Sequence, residues 1–354
     1  MRRTAAAKYL AALEAEIGRT RHFDARTLFL GGGTPNTYDA AAIAALVERL
    51  QMRFASTGFA ETTIEMNPDR ALCAAGVFET YRRAGIDRVS FGVQSFVPAE
   101  LETLGRRHTP ADVGEAVRAA RAAGIENISL DLIFGTPLQT PASWQASLAA
   151  ALALDPAHVS TYGLTIEDGT PFASWYERRP GDFASNDLEA ELYGLAIDTL
   201  GQAGFEQYEI SNFARPGARC AHNANYWANG EYVGLGVGAA SYRAGVRSVH
   251  TRDLSAYLAA APGSTPIPGD DERLEGAARL GEAAMLALRT AEGVEIAAFA
   301  ERYRVDFHDF YRPVLDDMRA AGAIDVTPTH VRLTRRGRFI ANDVCRAFVT
   351  FAGA

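Results

Sequence analysis

Read for apolar periodicity, the first two thirds of the chain alternate between two patterns. Short apolar runs bounded by polar or glycine residues read as buried strands at 27–31, 61–66, 88–93, 127–133 and 158–164. Between them, apolar positions recur at helical spacing. This predicts helices over 5–18, 40–53, 70–84, 98–104, 110–123, 142–153 and, past a loop, 186–203. Such alternation argues for a parallel sheet covered by helices. The residues ending the strands are Gly31, Glu65, Gln94, Asp131 and Gly163, at intervals of 29 to 37 residues. A βα barrel advances by about 30 residues per unit, so a barrel or partial barrel is favoured over a doubly wound sheet.

In barrels of this kind ligands gather at the C-terminal strand ends. The first such end is L-F-L-G-G-G-T-P, Leu28–Pro35. Three glycines let the backbone approach a ligand closely and permit positive φ, and Asp39 can cap the helix that follows. A tight βα turn is the plainer reading of this stretch. Glu65 and Asp131 can likewise be simple helix caps. Polar or glycine positions on four successive strands favour a shared ligand site.

Beyond residue 205 the alternation stops. Y-E-I-S-N-F-A leads through a loop to C-A-H-N-A-N-Y-W, then to the glycine-rich Y-V-G-L-G-V-G-A-A-S. From about residue 271 the chain reads as helical. Asp325–Val331 and L-T-R-R-G-R-F-I suggest a hairpin leading into a last helix, as in a winged-helix unit. Its arginines Arg335, Arg336 and Arg338 read as a solvated face more readily than as a nucleic-acid contact. The expected division is residues 1–245 and 246–354.

Composition narrows this picture. The 354 residues are 48% hydrophobic and carry a net charge of −8, with no long basic run, so a nucleic-acid partner is not indicated. No apolar stretch is long enough to span a membrane, and Lys8, Glu14 and Glu16 interrupt any signal-peptide core. The chain reads as cytoplasmic. Its three cysteines, Cys73, Cys220 and Cys345, are scattered and odd in number, so neither a disulfide framework nor a local metal motif is visible.

Several segments together carry a resemblance: G-G-G-T-P, E-M-N-P, F-G-V-Q-S-F, L-G-R-R-H and D-L-I-F-G-T-P-L-Q-T, in this order and spacing. The chain resembles radical S-adenosylmethionine (SAM) proteins related to oxygen-independent coproporphyrinogen III oxidase. Y-E-I-S-N-F-A and H-N-A-N-Y-W are similar to the heme-chaperone branch of that group. The resemblance implies a partial (β/α)6 TIM-like barrel and a C-terminal, mainly helical, winged-helix-like domain. It also implies S-adenosylmethionine held by Gly32, Gly33 and Thr34 through backbone atoms. Arg106 would take its carboxylate, Glu65, Gln94 and Asp131 its hydroxyls or ammonium, and Thr165 and Ala240 the adenine side.

The family's [4Fe–4S] cluster is bound by C-x-x-x-C-x-x-C after the first strand, and this chain carries no such motif. The expectation is a chain lacking that first strand and loop, by truncation or a misplaced start, that does not assemble the cluster or perform radical chemistry. The implied function is a heme chaperone, with heme on His222, Asn223, Tyr226 and Trp227, His222 on the iron, and Cys220 the minor alternative. Its partners would be heme and a heme-acceptor protein, membrane-associated or not, with a homodimer among the options. The competing readings are oxidative decarboxylation of coproporphyrinogen III and a family-free barrel enzyme holding a phosphate at the glycine loop.

Overall fold

The computed structural model describes residues 3–263 and 266–351. In chain order the elements are α1 (Arg3–Arg19), β1 (Thr27–Leu30), α2 (Ala40–Phe54), β2 (Glu61–Met66), α3 (Val77–Arg83), β3 (Arg88–Gln94), α4 (Pro98–Thr103), α5 (Pro110–Ala122), β4 (Asn127–Phe134) and α6 (Pro141–Ala153). Then come β5 (His158–Gly163), α7 (Pro171–Arg178), α8 (Asn186–Gln202), β6 (Glu206–Gln207), β7 (Asn212–Ala214), α9 (Ala221–Trp227), β8 (Ala240–Arg243), β9 (Val246–His250), α10 (Leu254–Ala260) and β10 (Gly269–Arg273). The chain ends through α11 (Gly276–Leu288), β11 (Val294–Glu295), α12 (Ile296–Tyr303), α13 (Phe307–Ala320), β12 (Ile324–Val326), β13 (His330–Leu333), α14 (Arg335–Phe339) and α15 (Ala341–Val349). Contacts divide it into two compact units: Arg26–Arg49 with Gly58–Arg219, and residues through Ala25, Leu50–Thr57 and from Cys220 onward.

The first unit is built on one sheet. Strands β1 to β5 lie parallel in sequence order, and β7 then β6 continue antiparallel beyond β5. Sequential strands joined by right-handed crossovers place every connecting helix on the same side. That side is the core: Ile64, Val89, Phe91, Leu130, Leu132 and Val159 pack with Val47, Phe78, Val117, Trp144 and Leu192 from the helices. Since side chains alternate along a strand, Glu65, Ser90, Gly92, Ser129, Asp131, Ser160 and Tyr162 share the opposite, polar face; Gln94, displaced by a register shift, reaches it by folding back over Gly92.

Local chemistry sets the helix starts. Thr-Pro begins α5, α6 and α7; in each the threonine hydroxyl accepts the N3 amide while proline occupies N1. The helix expected over 70–84 starts only at Val77, because Gly76 takes a left-handed φ of 85°. The expected loop after β5 contains α7. The expected helical stretch from 271 opens with β10 and later carries β11.

In the second unit α1 packs on α10 through Ala12, Tyr257 and Ala261. Its buried Glu16 Oε2 accepts the Tyr257 hydroxyl at 2.6 Å and the Gly236 amide at 2.9 Å. Sheet β10-β9-β8 is antiparallel, and β11-β13-β12 forms a further small sheet. Helix α11 meets α15 closely; a Cβ on Gly281 would lie 2.8 Å from Val349 Cα. Among the described residues no helix is long and apolar enough to cross a membrane.

Candidate ligand sites

Loops at the C-terminal ends of β1, β2 and β3 are stitched to one another. The Gly32 amide donates to Glu65 Oε2 at 3.2 Å. Asn36 and Asn67 exchange side chain-to-backbone bonds, Asn36 Nδ2 to Asn67 O at 2.9 Å and Asn67 N to Asn36 Oδ1 at 3.2 Å. Arg106 Nη1 donates to Asn67 Oδ1 at 3.2 Å. Gln94 sits at a register shift with φ 67°, and a Cβ on neighbouring Gly92 would lie 3.0 Å from its amide nitrogen. Gly92 thereby leaves room for the Gln94 side chain. Thr34 follows the three exposed glycines, half-buried.

Each glycine of the loop has its own constraint. A Cβ on Gly31 would lie 2.8 Å from the Phe29 ring and 2.9 Å from Glu65 Oε2. Gly32 has φ 98°, and a Cβ on Gly33 would meet nothing within 4 Å. The loop is thus closed toward Glu65 and open on its other side.

Glu65 and Asp131 are carboxylates of this face, with buried Arg88 on the same face of β3. Burial, then the charge of Asp131, raises the Glu65 pKa, and the Gly32 amide opposes this. Burial raises that of Asp131, against hydrogen bonds from Ser160, Ser90 and Ser129 and the charge of Arg88. Ser90 Oγ lies 3.0 and 3.1 Å from the two carboxylate oxygens. Behind them His158 is buried between Ser129 Oγ and Tyr208 OH, both at 2.8 Å. Burial holds its pKa well below the usual imidazole value, so it is neutral. Arg106 is half-buried, and burial lowers its pKa against the charge of Asp69.

Gly32, Gly33, Thr34 and Arg106 thus lie on loops past the ends of β1 and β3, and Glu65, Gln94 and Asp131 on β2, β3 and β4; Asp131, expected to end its strand, lies inside β4, which runs on to Phe134. Thr165 is exposed just past β5. Ala240 opens β8 in the other unit. Sequence reasoning missed Ser90, Ser129, Ser160, His158 and Tyr162. The period of two counted outward from Asp131 and Gln94 was the signal that could have found them.

Other motif residues point inward. His108 Nε2 donates to Val93 O at 3.0 Å, holding the turn that carries Arg106. Buried Glu100 accepts from Ser95 Oγ at 2.7 Å, Gln139 Nε2 at 3.0 Å and Ser143 Oγ at 2.6 Å. Ser95 belongs to Q-S-F and Gln139 to G-T-P-L-Q-T, so parts of both motifs are structural.

H-N-A-N-Y-W forms α9, with Cys220 buried at its N-cap. His222 Nε2 and the Tyr226 hydroxyl share a 2.8 Å hydrogen bond, their rings edge-to-face at 4.9 Å. Tyr226, 37% exposed, also packs edge-to-face on Tyr232 at 4.6 Å. Burial pushes its hydroxyl up to about 12. Trp227 lies under the Arg289 guanidinium at 5.5 Å; its buried Nε1 has no hydrogen-bond partner among the described residues. Asn223 is half-buried.

The thiols do not fit an iron–sulfur cluster. Burial first, then Asp69 and Asp112, pushes the Cys73 thiol up to about 12, and it donates to Asn67 O at 3.5 Å. A cluster ligand must be a thiolate. Among the described residues no group of three or more His, Cys, Asp or Glu is placed to hold a metal ion.

A family described as the radical SAM superfamily matches residues 2–151, and one described as the HemN C-terminal domain matches residues 274–340. The chain is 35% identical over 347 residues to the heme chaperone HemW of Bacillus subtilis, covering 97% of this chain and 91% of that protein. It is 31% identical over 347 residues to the heme chaperone HemW of Escherichia coli, covering 95% and 87%. Among solved structures, coproporphyrinogen III oxidase (HemN) from Escherichia coli, a radical SAM enzyme, aligns with a TM-score of 0.84 at 23% identity, covering 99% of this chain and 85% of that one. That likeness concerns the fold alone.

Proposed function

The chain belongs to the HemW family of radical SAM proteins, and we propose that it is a heme chaperone that binds heme and S-adenosylmethionine and passes the heme to an acceptor protein. Identity to proteins named heme chaperones over nearly the whole chain carries this reading. The imidazole–aromatic group on α9, with His222 and Trp227 half-buried and Tyr226 exposed, supports it. Heme is the cargo here. His222 is the axial ligand, and Tyr226 and Trp227 supply flat contact area to the macrocycle. The His222 Nε2 bond to Tyr226 must open before that nitrogen meets iron. Such a neutral bond is worth about 0.5–1.5 kcal/mol, so its re-formation favours release. A cargo site that also bonds to itself suits transfer better than permanent storage.

S-adenosylmethionine fits the polar face of the first unit, which we read as an open, partial βα barrel. Gly32, Gly33 and Thr34 offer backbone groups on the side where no Cβ intrudes. Glu65, Gln94 and Asp131 offer acceptors for hydroxyls and the ammonium, and Arg106 a fork for the carboxylate. In its family this cofactor supplies a 5′-deoxyadenosyl radical when a reduced cluster cleaves it. The cysteines present do not fit that cluster, so no step is assigned to it.

The test is heme titration followed by transfer to apomyoglobin. His222→Ala should alter the Soret band and weaken saturable binding by about tenfold or more, roughly 1.4 kcal/mol. Cys220→Ala should change neither, and Trp227→Ala should weaken affinity without changing the ligand signature. An unchanged spectrum and affinity in His222→Ala overturns the assignment, and the reverse ranking moves the ligand to Cys220.

A further inference from the structure

The Y-E-I-S-N-F-A segment is left unexplained by the sites above. Its chain forms β7 at the antiparallel margin of the sheet, with Asn212 opposite Ser160. Ser160 is in turn opposite Asp131, and Asp131 opposite Gly92. Residues directly opposite on adjacent strands share a face. Phe213, the next residue, is in the core under the helices, which confirms that Asn212 points the other way. Asp131, Ser160 and Asn212 therefore form one row across the polar face. Strands about 4.8 Å apart place its ends roughly 10 Å from each other.

Asn212 is 4% exposed, and among the described residues its Oδ1 has no hydrogen-bond partner. An unsatisfied buried acceptor destabilises a fold and calls for an explanation. Its surroundings restrict what could complete it. Buried Glu209 lies between β6 and β7, three residues before Asn212, and Asp131 ends the row, so an anionic ligand group would be repelled. Tyr162, 41% exposed, stands on the same face of β5 two residues after Ser160. The complement is neutral, carries an N–H donor and has a flat face for an aromatic. An asparagine amide pairs with the amino edge of adenine through one donor and one acceptor, and bases stack on aromatic rings.

We propose that Asn212 reads the amino edge of an adenine, with Tyr162 as its stacking surface and Asp131 at the ribose end of the row. This makes Asn212 the base-selecting residue of the nucleoside site. It rests on the reading of that face as an S-adenosylmethionine site.

The experiment uses calorimetric titration of the full chain with S-adenosylhomocysteine and with its 6-oxo analogue S-inosylhomocysteine. The parent should prefer the adenosyl ligand by about tenfold or more, the discrimination expected of one bidentate pair. Asn212→Ala should bind the inosyl ligand as the parent does and lose the preference. Because Oδ1 is unpartnered, Asn212→Asp, which keeps the shape and that acceptor but replaces the amide donor, should lose the adenosyl preference as Asn212→Ala does. An unchanged preference in Asn212→Ala or in Asn212→Asp overturns the proposal. A parent that binds neither ligand overturns the S-adenosylmethionine reading, and this assignment with it. A parent that binds both with equal affinity overturns the role of Asn212 alone.

Discussion

The three glycines of the first loop should fail in three different ways when each becomes alanine. At Gly31 the new methyl would stand 2.8 Å from the Phe29 ring, 2.9 Å from Glu65 Oε2 and 3.0 Å from its carboxyl carbon. Overpacking of this kind costs about 1–3 kcal/mol. It also pushes Glu65 off the Gly32 amide, a bond to a charged group worth about 1.5–3 kcal/mol when fully lost. Against this, alanine restricts the unfolded chain by about 0.4–1 kcal/mol. A net loss of about 2 kcal/mol follows, or roughly 4–8 °C in the thermal midpoint. At Gly32 nothing clashes, but φ 98° strains any L-residue, at about 1–2 kcal/mol. At Gly33 neither penalty applies, so stability should hold or rise by a few tenths of a kcal/mol. The methyl of Gly33→Ala instead occupies the open side of the loop, where the ligand is read to lie. Thermal unfolding and S-adenosylhomocysteine calorimetry separate the cases. Gly31→Ala should melt low; Gly33→Ala should melt like the parent and bind at least about tenfold more weakly. Gly33→Ala with parental affinity refutes the ligand placement, and Gly31→Ala with parental stability refutes the packing argument.

Two further outcomes follow from buried carboxylates. Because burial and Asp131 raise the Glu65 pKa, its stabilising contribution is complete below the ordinary carboxylate value of 4.5 and is lost as pH rises through the raised value. Glu65→Gln escapes that loss, so its midpoint relative to the parent should climb as pH rises above the ordinary carboxylate value of 4.5; a flat difference refutes the shift. Glu100→Gln puts a donor where three donors already converge, and should cost about 1–3 kcal/mol in denaturant unfolding. Nucleoside preference should survive it, and a variant as stable as the parent would show that the buried network carries no stability.

The sequence was most legible where each strand advertises itself. Strands β3 and β4 alternate in the manner of a sheet with one apolar face, β1 shows as a short apolar run, and Thr-Pro marks three helix starts. It was least legible where structure depends on distant pairing. The strand β10 reads G-D-D-E-R, fully exposed and without apolar alternation; only its ladder to β9 makes it a strand. Helix α9 has seven residues, too few to form alone, and depends on tertiary contacts that no local pattern announces. The Asn36–Asn67–Arg106 stitching joins three loops far apart in the chain. Residue types at the strand ends suggested a site, but not that Asn67 would organise it. The serines around Asp131 were readable in principle, since they fall at the strand period, yet serine carries little weight in a search for charged or aromatic groups.

Motif residues divide by the hydrogen-bonding capacity they have left. Ser95, Gln139 and His108 sit within recognisable motifs, yet their bonds are spent inside the protein on Glu100 and Val93. Their role is to hold strand-end loops at fixed height. Gly33, Arg106 and Asp131 are only partly covered on the polar face and keep capacity for a ligand. His158 belongs with the first group: both ring nitrogens are engaged and burial keeps it neutral, so it fixes Ser129 beside Asp131 without facing the ligand. Asn212 fits neither group, being buried like the first and unspent like the second. A buried acceptor without a donor raises the free energy of the empty protein and is relieved only when a donor arrives. That asymmetry between empty and filled states is what lets one residue select a ligand.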